Sequence, residues 1–279
     1  MAQRILTTHV GSLPRPERVV TQLFAHDSGL NYVEADFDAI MATEVADVVA
    51  RQASAHVDVV SDGEMSKISY ATYIRHRLTG FELGEMPRAV PRDLDDFPDF
   101  KERLAKLGAT PKYHRPICTG PIAVKDLSGL HKDIANLQAA CAAAAAPGQP
   151  PLRAFMNSAS PGVIAVFQPN KYYASTELYL QALADAMATE YEAIVAAGLD
   201  LQIDAPDLAM GRHIKFRDVD DTEFLRNANL QVEALNHALR KVPAERIRMH
   251  VCWGNYEGPH HKDVPLATIL PTVLKAKPQ

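Results

Sequence analysis

Apolar side chains recur at helical spacing between residues 32 and 54, where Tyr32, Phe37, Ile40, Met41, Val45 and Val48 form one stripe. Glu34, Asp36 and Asp38 stand in its first turns, where negative charge favours a helix N-terminus. Before it, Arg4 to Val10 reads as a short extended segment that runs into Gly-Ser-Leu-Pro-Arg-Pro, whose prolines stop a continuing helix. After it, Val57-Asp-Val-Val has the apolar density of a buried strand and breaks abruptly into Asp62, Gly63 and Glu64. Residues 66–116 form an excursion. Tyr70, Tyr73, Ile74 and Leu78 suggest a helix, Met86 to Phe100 a loop with solvated acids at Asp93 to Asp96, and Lys101 to Leu107 a short helix. Ile117 to Ile122 gives a strand and turn, Lys125 to Ala146 a helix, and Leu152 to Asn157 a strand. A long helix over Thr176 to Ala197 is ended by Gly198. Then follow a strand at Leu201 to Asp204, a helix at 221–241, a strand from Arg246, and a last helix from Pro265 to Ala276.

Strand and helix therefore alternate six times, which predicts an α/β fold with a parallel sheet. The first β–α turn, His-Val-Gly-Ser-Leu-Pro, lacks the glycine spacing of a dinucleotide fingerprint, so a (β/α)8 TIM-barrel type is preferred to a doubly wound sheet. On this reading residues 1–279 are one barrel-like domain holding about six of eight β/α units, C-terminally incomplete. Composition adds little beyond exclusions. With 47% hydrophobic and 23% charged residues the chain is ordinary for a globular protein. A net charge of -5 gives no electrostatic case for nucleic acid, and no apolar run suits a membrane span or a signal peptide. Three cysteines make no disulfide framework, and the cytoplasm is the expected compartment.

The candidate chemistry gathers where strands end. In Ile247-Arg-Met-His-Val-Cys252 the period of two puts His250 and Cys252 on one face, an imidazole and a thiol side by side, which is half of a zinc site. Glu64, and less strongly Asp62, closes a hydrophobic strand with an acid at the end that carries the site in α/β barrels. Asp204 closes another. Arg15 offers a positive charge in the first loop, whose plainer reading is a solvated turn.

Thr7-Thr-His-Val-Gly-Ser-Leu-Pro-Arg-Pro16, Ser61-Asp-Gly-Glu64, Thr119-Gly-Pro121, Gln202-Ile-Asp-Ala-Pro206 and His250-Val-Cys252 follow one another in the order found in the cobalamin-independent methionine synthases. The chain resembles the short, single-barrel relatives of that enzyme's catalytic domain along essentially its whole length. The resemblance implies a zinc-dependent thiol methyltransferase with homocysteine as acceptor, with His250 and Cys252 as zinc ligands and Ser12, Glu64 and Asp204 contacting the amino-acid thiol. Two departures accompany it. Family members draw a Glu and a second Cys ligand, and a catalytic His, from strands seven and eight, before which this chain ends. Zinc is thus expected to be held weakly and the 279 residues to be inactive alone, with His260 and His261 read as a surface pair rather than ligands. Family members also place a Trp soon after Thr-Gly-Pro to stack on the folate pterin. Here Ile122 to Leu127 contains no aromatic residue, so methyl-folate is expected to bind poorly unless Tyr172 or Tyr173 substitutes. The competing readings are an alkyltransferase of the same superfamily using another thiol or donor, and a non-catalytic paralogue or fragment that binds ligand weakly.

Overall fold

A computed structural model describes residues 4–84, 90–107, 115–255 and 258–278. Its spine is a row of parallel extended segments. Thr8 pairs with Val59 and Val60 with Ala154, and the row continues through β3 (Phe155–Ala159), β4 (Asp200–Asp204) and β5 (Ile247–His250). Strands β1 (Phe81–Gly84) and β2 (Arg115–Cys118) form a separate antiparallel pair.

The register decides which side chains meet. Asn157 lies beside Gln202 and Gln202 beside Arg248, while Asp204 lies beside His250. Side chains alternate along a strand, so these polar residues share one face and Met156, Leu201, Ile203 and Ile247 take the other, buried face. On the polar face the Arg248 guanidinium stacks over the Phe155 ring at 3.5 Å and donates to Gln202 Oε1 at 3.0 Å. It also reaches Thr8 Oγ1 at 3.2 Å and the His9 carbonyl at 3.3 Å. One arginine thus links the last strand of the row to the first, so the row is curled, although the described residues close no ring of strands.

Helices cover the apolar side. In α2 (Glu34–Ser54) Phe37, Met41, Val45, Val48 and Val49 are buried at the spacing that the stripe predicts, and the helix packs on α4 (Ser128–Ala143). The next pair is α6 (Thr176–Ala196) against α7 (Asp221–Ala238). Each has a side-chain N-cap: Ser175 accepts from the Leu178 amide at 3.2 Å and Asp220 from the Glu223 amide at 2.8 Å. Gly198, at φ 84°, ends the α6 turn in the left-handed region. The remaining helices are α1 (Glu17–Ser28), α3 (Pro98–Leu107), α5 (Pro161–Phe167) and α8 (Leu266–Val273). No described helix is long and apolar enough to cross a membrane.

Several expectations are corrected. The 117–122 strand lies outside the parallel row: β2 pairs antiparallel with β1, and the Arg92–Asp96 turn and α3 lie between the two in sequence. Among the described residues the row therefore contains five segments, not six. Residues 70–78 form only a 3-10 turn at Thr72–His76, since Tyr73, Ile74 and Leu78 are buried by tertiary packing rather than along one helix face. Helices α1 and α5 were not anticipated. A proline stands at the start of each, Pro16 at the N-cap of α1 and Pro161 as the first residue of α5, where a fixed φ suits a helix start as well as it stops a preceding one. Asp93 is fully buried rather than solvated, enclosed by imidazole and amide partners described below. Part of the Met86 to Phe100 loop lies outside the described residues.

Candidate functional site

The turn after Val60 is built by its own polar side chains. Gln52 of α2 accepts from the Ser61 amide at 3.0 Å and donates to its carbonyl at 2.8 Å, which fixes the strand end. The Ser61 hydroxyl then accepts from the Gly63 amide at 3.2 Å, and Asp62 from the Glu64 amide at 2.9 Å. Asp62 is thus a turn residue. Gly63 and Glu64 are both left-handed, at φ 64° and 56°. For a glutamate that conformation is uncommon and costs on the order of 1 kcal/mol or more, a strain typical of functional turns. It aims the buried Glu64 carboxyl back over the strand ends. The Leu13 amide donates to the Gly63 carbonyl at 3.1 Å, bringing the first loop alongside, and the Ser12 hydroxyl donates to Glu64 Oε2 at 2.8 Å.

The centre of the arrangement is Asn157, on β3. Its side-chain amide donates to Glu64 Oε1 at 2.7 Å and to Asp204 Oδ2 at 2.9 Å, so a single amide ties two buried carboxylates together. Asp204 Oδ1 accepts from Gln202 Nε2 at 2.8 Å. Lys67, buried beneath, donates to the Asn157 carbonyl and holds its Oδ1 at 3.3 Å, which turns the amide nitrogen toward the acids. Burial pushes the Glu64 carboxyl above the usual range, the Lys67 ammonium opposes that, and the Asp204 charge adds to it.

Glu64 and Asp204 line a cleft of about 360 Å³ together with Gly11, Ser12, Tyr70, Pro206, His250, Cys252 and Asn255. All five residues singled out from the sequence, Ser12, Glu64, Asp204, His250 and Cys252, therefore meet in one place. Burial raises the Cys252 thiol, and both burial and the neighbouring Cys252 raise the Tyr70 hydroxyl. Tyr256 and Glu257 lie outside the described residues.

Asn157, Lys67 and Tyr70 were missed. Asn157 did carry a signal, a buried amide at the end of an apolar strand, whereas Lys67 and Tyr70 are ordinary in sequence. Arg15 does not await an anion, because its guanidinium already donates to the Glu64 and Lys67 carbonyls at 2.8 and 3.0 Å. Cys118 and Cys141 are buried elsewhere, the latter raised to about 11 by burial. Trp253 donates its indole N–H to the Val264 carbonyl at 2.8 Å and packs in a small satellite core. Tyr173 accepts from the Ile122 amide at 2.8 Å, so an aromatic ring does stand beside the Thr119-Gly-Pro121 turn.

Comparison with known proteins agrees with the motifs. The family model described as the catalytic domain of cobalamin-independent synthase matches residues 5–88, a stretch that includes Ser12 and Glu64. Methionine synthase of Saccharolobus solfataricus is 26% identical over 90% of the chain, and that of Sulfolobus acidocaldarius is 22% identical over 90%. The chain spans 63% and 62% of the lengths of these two relatives. A B12-independent methionine synthase from Shewanella sp. W3-18-1, solved in complex with selenomethionine, superposes with a TM-score of 0.61 at 17% identity, over 89% of this chain and 61% of its own. The resemblance to the cobalamin-independent methionine synthases thus runs along about nine-tenths of the chain, and the α/β fold is similar to theirs.

Proposed function

We propose that this chain, a relative of the cobalamin-independent methionine synthases, binds a sulfur-containing amino acid in the cleft, homocysteine foremost, for S-methyl transfer. The observation that carries the reading is the pair of carboxylates, Glu64 and Asp204, held on either side of the Asn157 amide in the cleft that Cys252 also lines. Two buried acids sharing one neutral donor favour a cation between them, and an α-ammonium would gain charge-assisted hydrogen bonds from both. That the Shewanella protein of similar fold was solved in complex with selenomethionine supports an amino acid with a soft chalcogen as the class of ligand. Ser12, donating to Glu64 Oε2, keeps that carboxyl oriented toward the cleft.

The resemblance also implies zinc, which when bound would make a substrate thiol nucleophilic at neutral pH. His250 and Cys252 are donors of the right kind. Protein zinc sites use three or four ligands, however, and no third His, Cys, Asp or Glu ligand atom among the described residues groups with this pair. The two residues alone do not fit the metal. What the chain's own residues supply is binding and orientation. Methyl-folate as donor rests on Tyr172 and Tyr173, since the family's Trp position is empty of aromatics.

Calorimetry tests the reading. L-homocysteine or L-methionine should bind, 4-mercaptobutyrate, which lacks the ammonium, should not, and Asp204→Asn should weaken binding. The lost charge-assisted contact is worth about 1.5–3 kcal/mol, roughly 10- to 150-fold. Equal affinity for the amino acid and its deaminated analogue would refute the ammonium role of Glu64 and Asp204.

A further inference from the structure

Away from the cleft, three loops bring a set of imidazoles and carboxylates together. His213 follows the 3-10 turn Met210–Arg212 after β4, His260 and Asp263 lie beyond β5, and Asp93 sits in the 3-10 turn Arg92–Asp96. His213 is buried between two carboxylates. Its Nε2 contacts Asp263 Oδ1, and its Nδ1 lies 2.9 Å from Oδ2 of the fully buried Asp93. His260 Nδ1 approaches the same Asp263 oxygen at 3.2 Å. Ligand atoms of His213, His260 and Asp263 all lie within 4.8 Å of one another.

We propose that His213, His260 and Asp263 form a zinc-class divalent cation site that locks the loop after β5 to the loop after β4. Two imidazole nitrogens and one carboxylate oxygen are the donor set such ions take, and tetrahedral ligands at about 2.1 Å stand roughly 3.4 Å apart. Both imidazole rings converge on the same Asp263 oxygen, as they would around a shared cation. Asp93 supplies the partner that metal-bound histidines characteristically have on their other nitrogen. It is itself pinned, since its Oδ1 accepts from the Lys262 amide at 2.6 Å and lies 3.1 Å from His261 Nδ1. His213 Nδ1 and Asp93 Oδ2, both buried, lie 2.9 Å apart without a well-formed hydrogen bond between them. The consequence reaches the cleft. The Met210 amide donates to the Cys252 carbonyl at 3.2 Å, so an ion at His213 would steady the segment that carries Cys252. This site does not depend on the methyl-transfer reading.

The chain, stripped with a chelator and dialysed, is titrated with Zn²⁺, and a Co²⁺ form is examined by absorption. The expected result is one tight equivalent of zinc retained in Cys252→Ser, and a cobalt spectrum with d–d bands but no thiolate charge transfer. Binding should weaken about tenfold or more in His260→Ala and Asp263→Asn, both at partly exposed positions, and about 10- to 100-fold in Asp93→Asn. Circular dichroism confirms that each variant is folded. No zinc binding by the wild-type chain, binding unaffected by His260→Ala and Asp263→Asn, or loss of the tight equivalent in Cys252→Ser would overturn the proposal.

Discussion

Among single residues, Asp207 is the one whose ionisation should be visible in stability. It lies fully buried just past β4, accepts from the Ser160 hydroxyl at 2.8 Å, and is pushed up to about 7, chiefly by burial. In the unfolded chain an aspartate loses its proton near 4. Between those values the folded state binds the extra proton, so stability falls as pH rises from about 4 to about 7 and levels off above. The cost at pH 8 is on the order of a few kcal/mol. Asp207→Asn keeps an acceptor for Ser160 and should flatten this slope, making the variant the more stable of the two at pH 8. Urea denaturation at pH 5 and pH 8 measures it, and an unchanged slope would remove Asp207 as its source.

Among elements, the Thr119-Gly-Pro121 turn shows what a short motif contributes. The Gly80 carbonyl accepts from the Thr119 and Gly120 amides at 2.9 and 3.2 Å, so two backbones cross in contact at the entry to β1. A Cβ at Gly80 would meet the Gly120 and Pro121 carbonyl oxygens at 2.6 and 2.8 Å, and its φ of 83° is unfavourable to any side chain. Neither obstacle is the end of a flexible side chain. Gly80→Ala should therefore destabilise by about 1–3 kcal/mol or more, lowering the thermal midpoint and loosening the Tyr173 contact to Ile122. A wild-type midpoint would show that the crossing can open without cost.

Across the molecule, one buried ionic network joins the sheet to its helices. Arg77 donates to Glu190 of α6 at 2.7 Å and to Asp133 of α4 at 2.6 Å, and lies 4.7 Å from the Tyr73 ring centre. Glu190 also accepts from Tyr73 and from Ser158 of β3, each at 2.6 Å. Replacing the cation alone leaves two buried carboxylates facing apolar surroundings. Arg77→Met should cost about 3–5 kcal/mol, whereas replacing Arg77, Asp133 and Glu190 together by apolar residues should recover much of it. Chemical denaturation of the two variants separates them; equal destabilisation would mean that the network is valued for shape rather than charge.

The periodicities of α2, α6 and α7 and the alternation around Asp204 and His250 are local properties, written in adjacent residues and read without knowing what they pack against. The same is true of acids that close apolar strands, which is why Glu64 and Asp204 stood out beforehand. Other features depend on partners far along the chain. Residues 117–122 look like any short strand, and only pairing with β1 removes them from the parallel row. Asp93 looks solvated until His213 and the Lys262 amide enclose it. Asn157 becomes central because β3 and β4 align in register while a left-handed Glu64 turns toward it. Sequence by itself determined the long helices and the apolar strands that close on acids, since both follow from side-chain spacing and backbone preference. It did not determine the short helices α1 and α5 or the 3-10 turn at Thr72–His76. Tertiary structure decided which ends meet, because register and long-range burial are set by packing free energy that no short stretch contains.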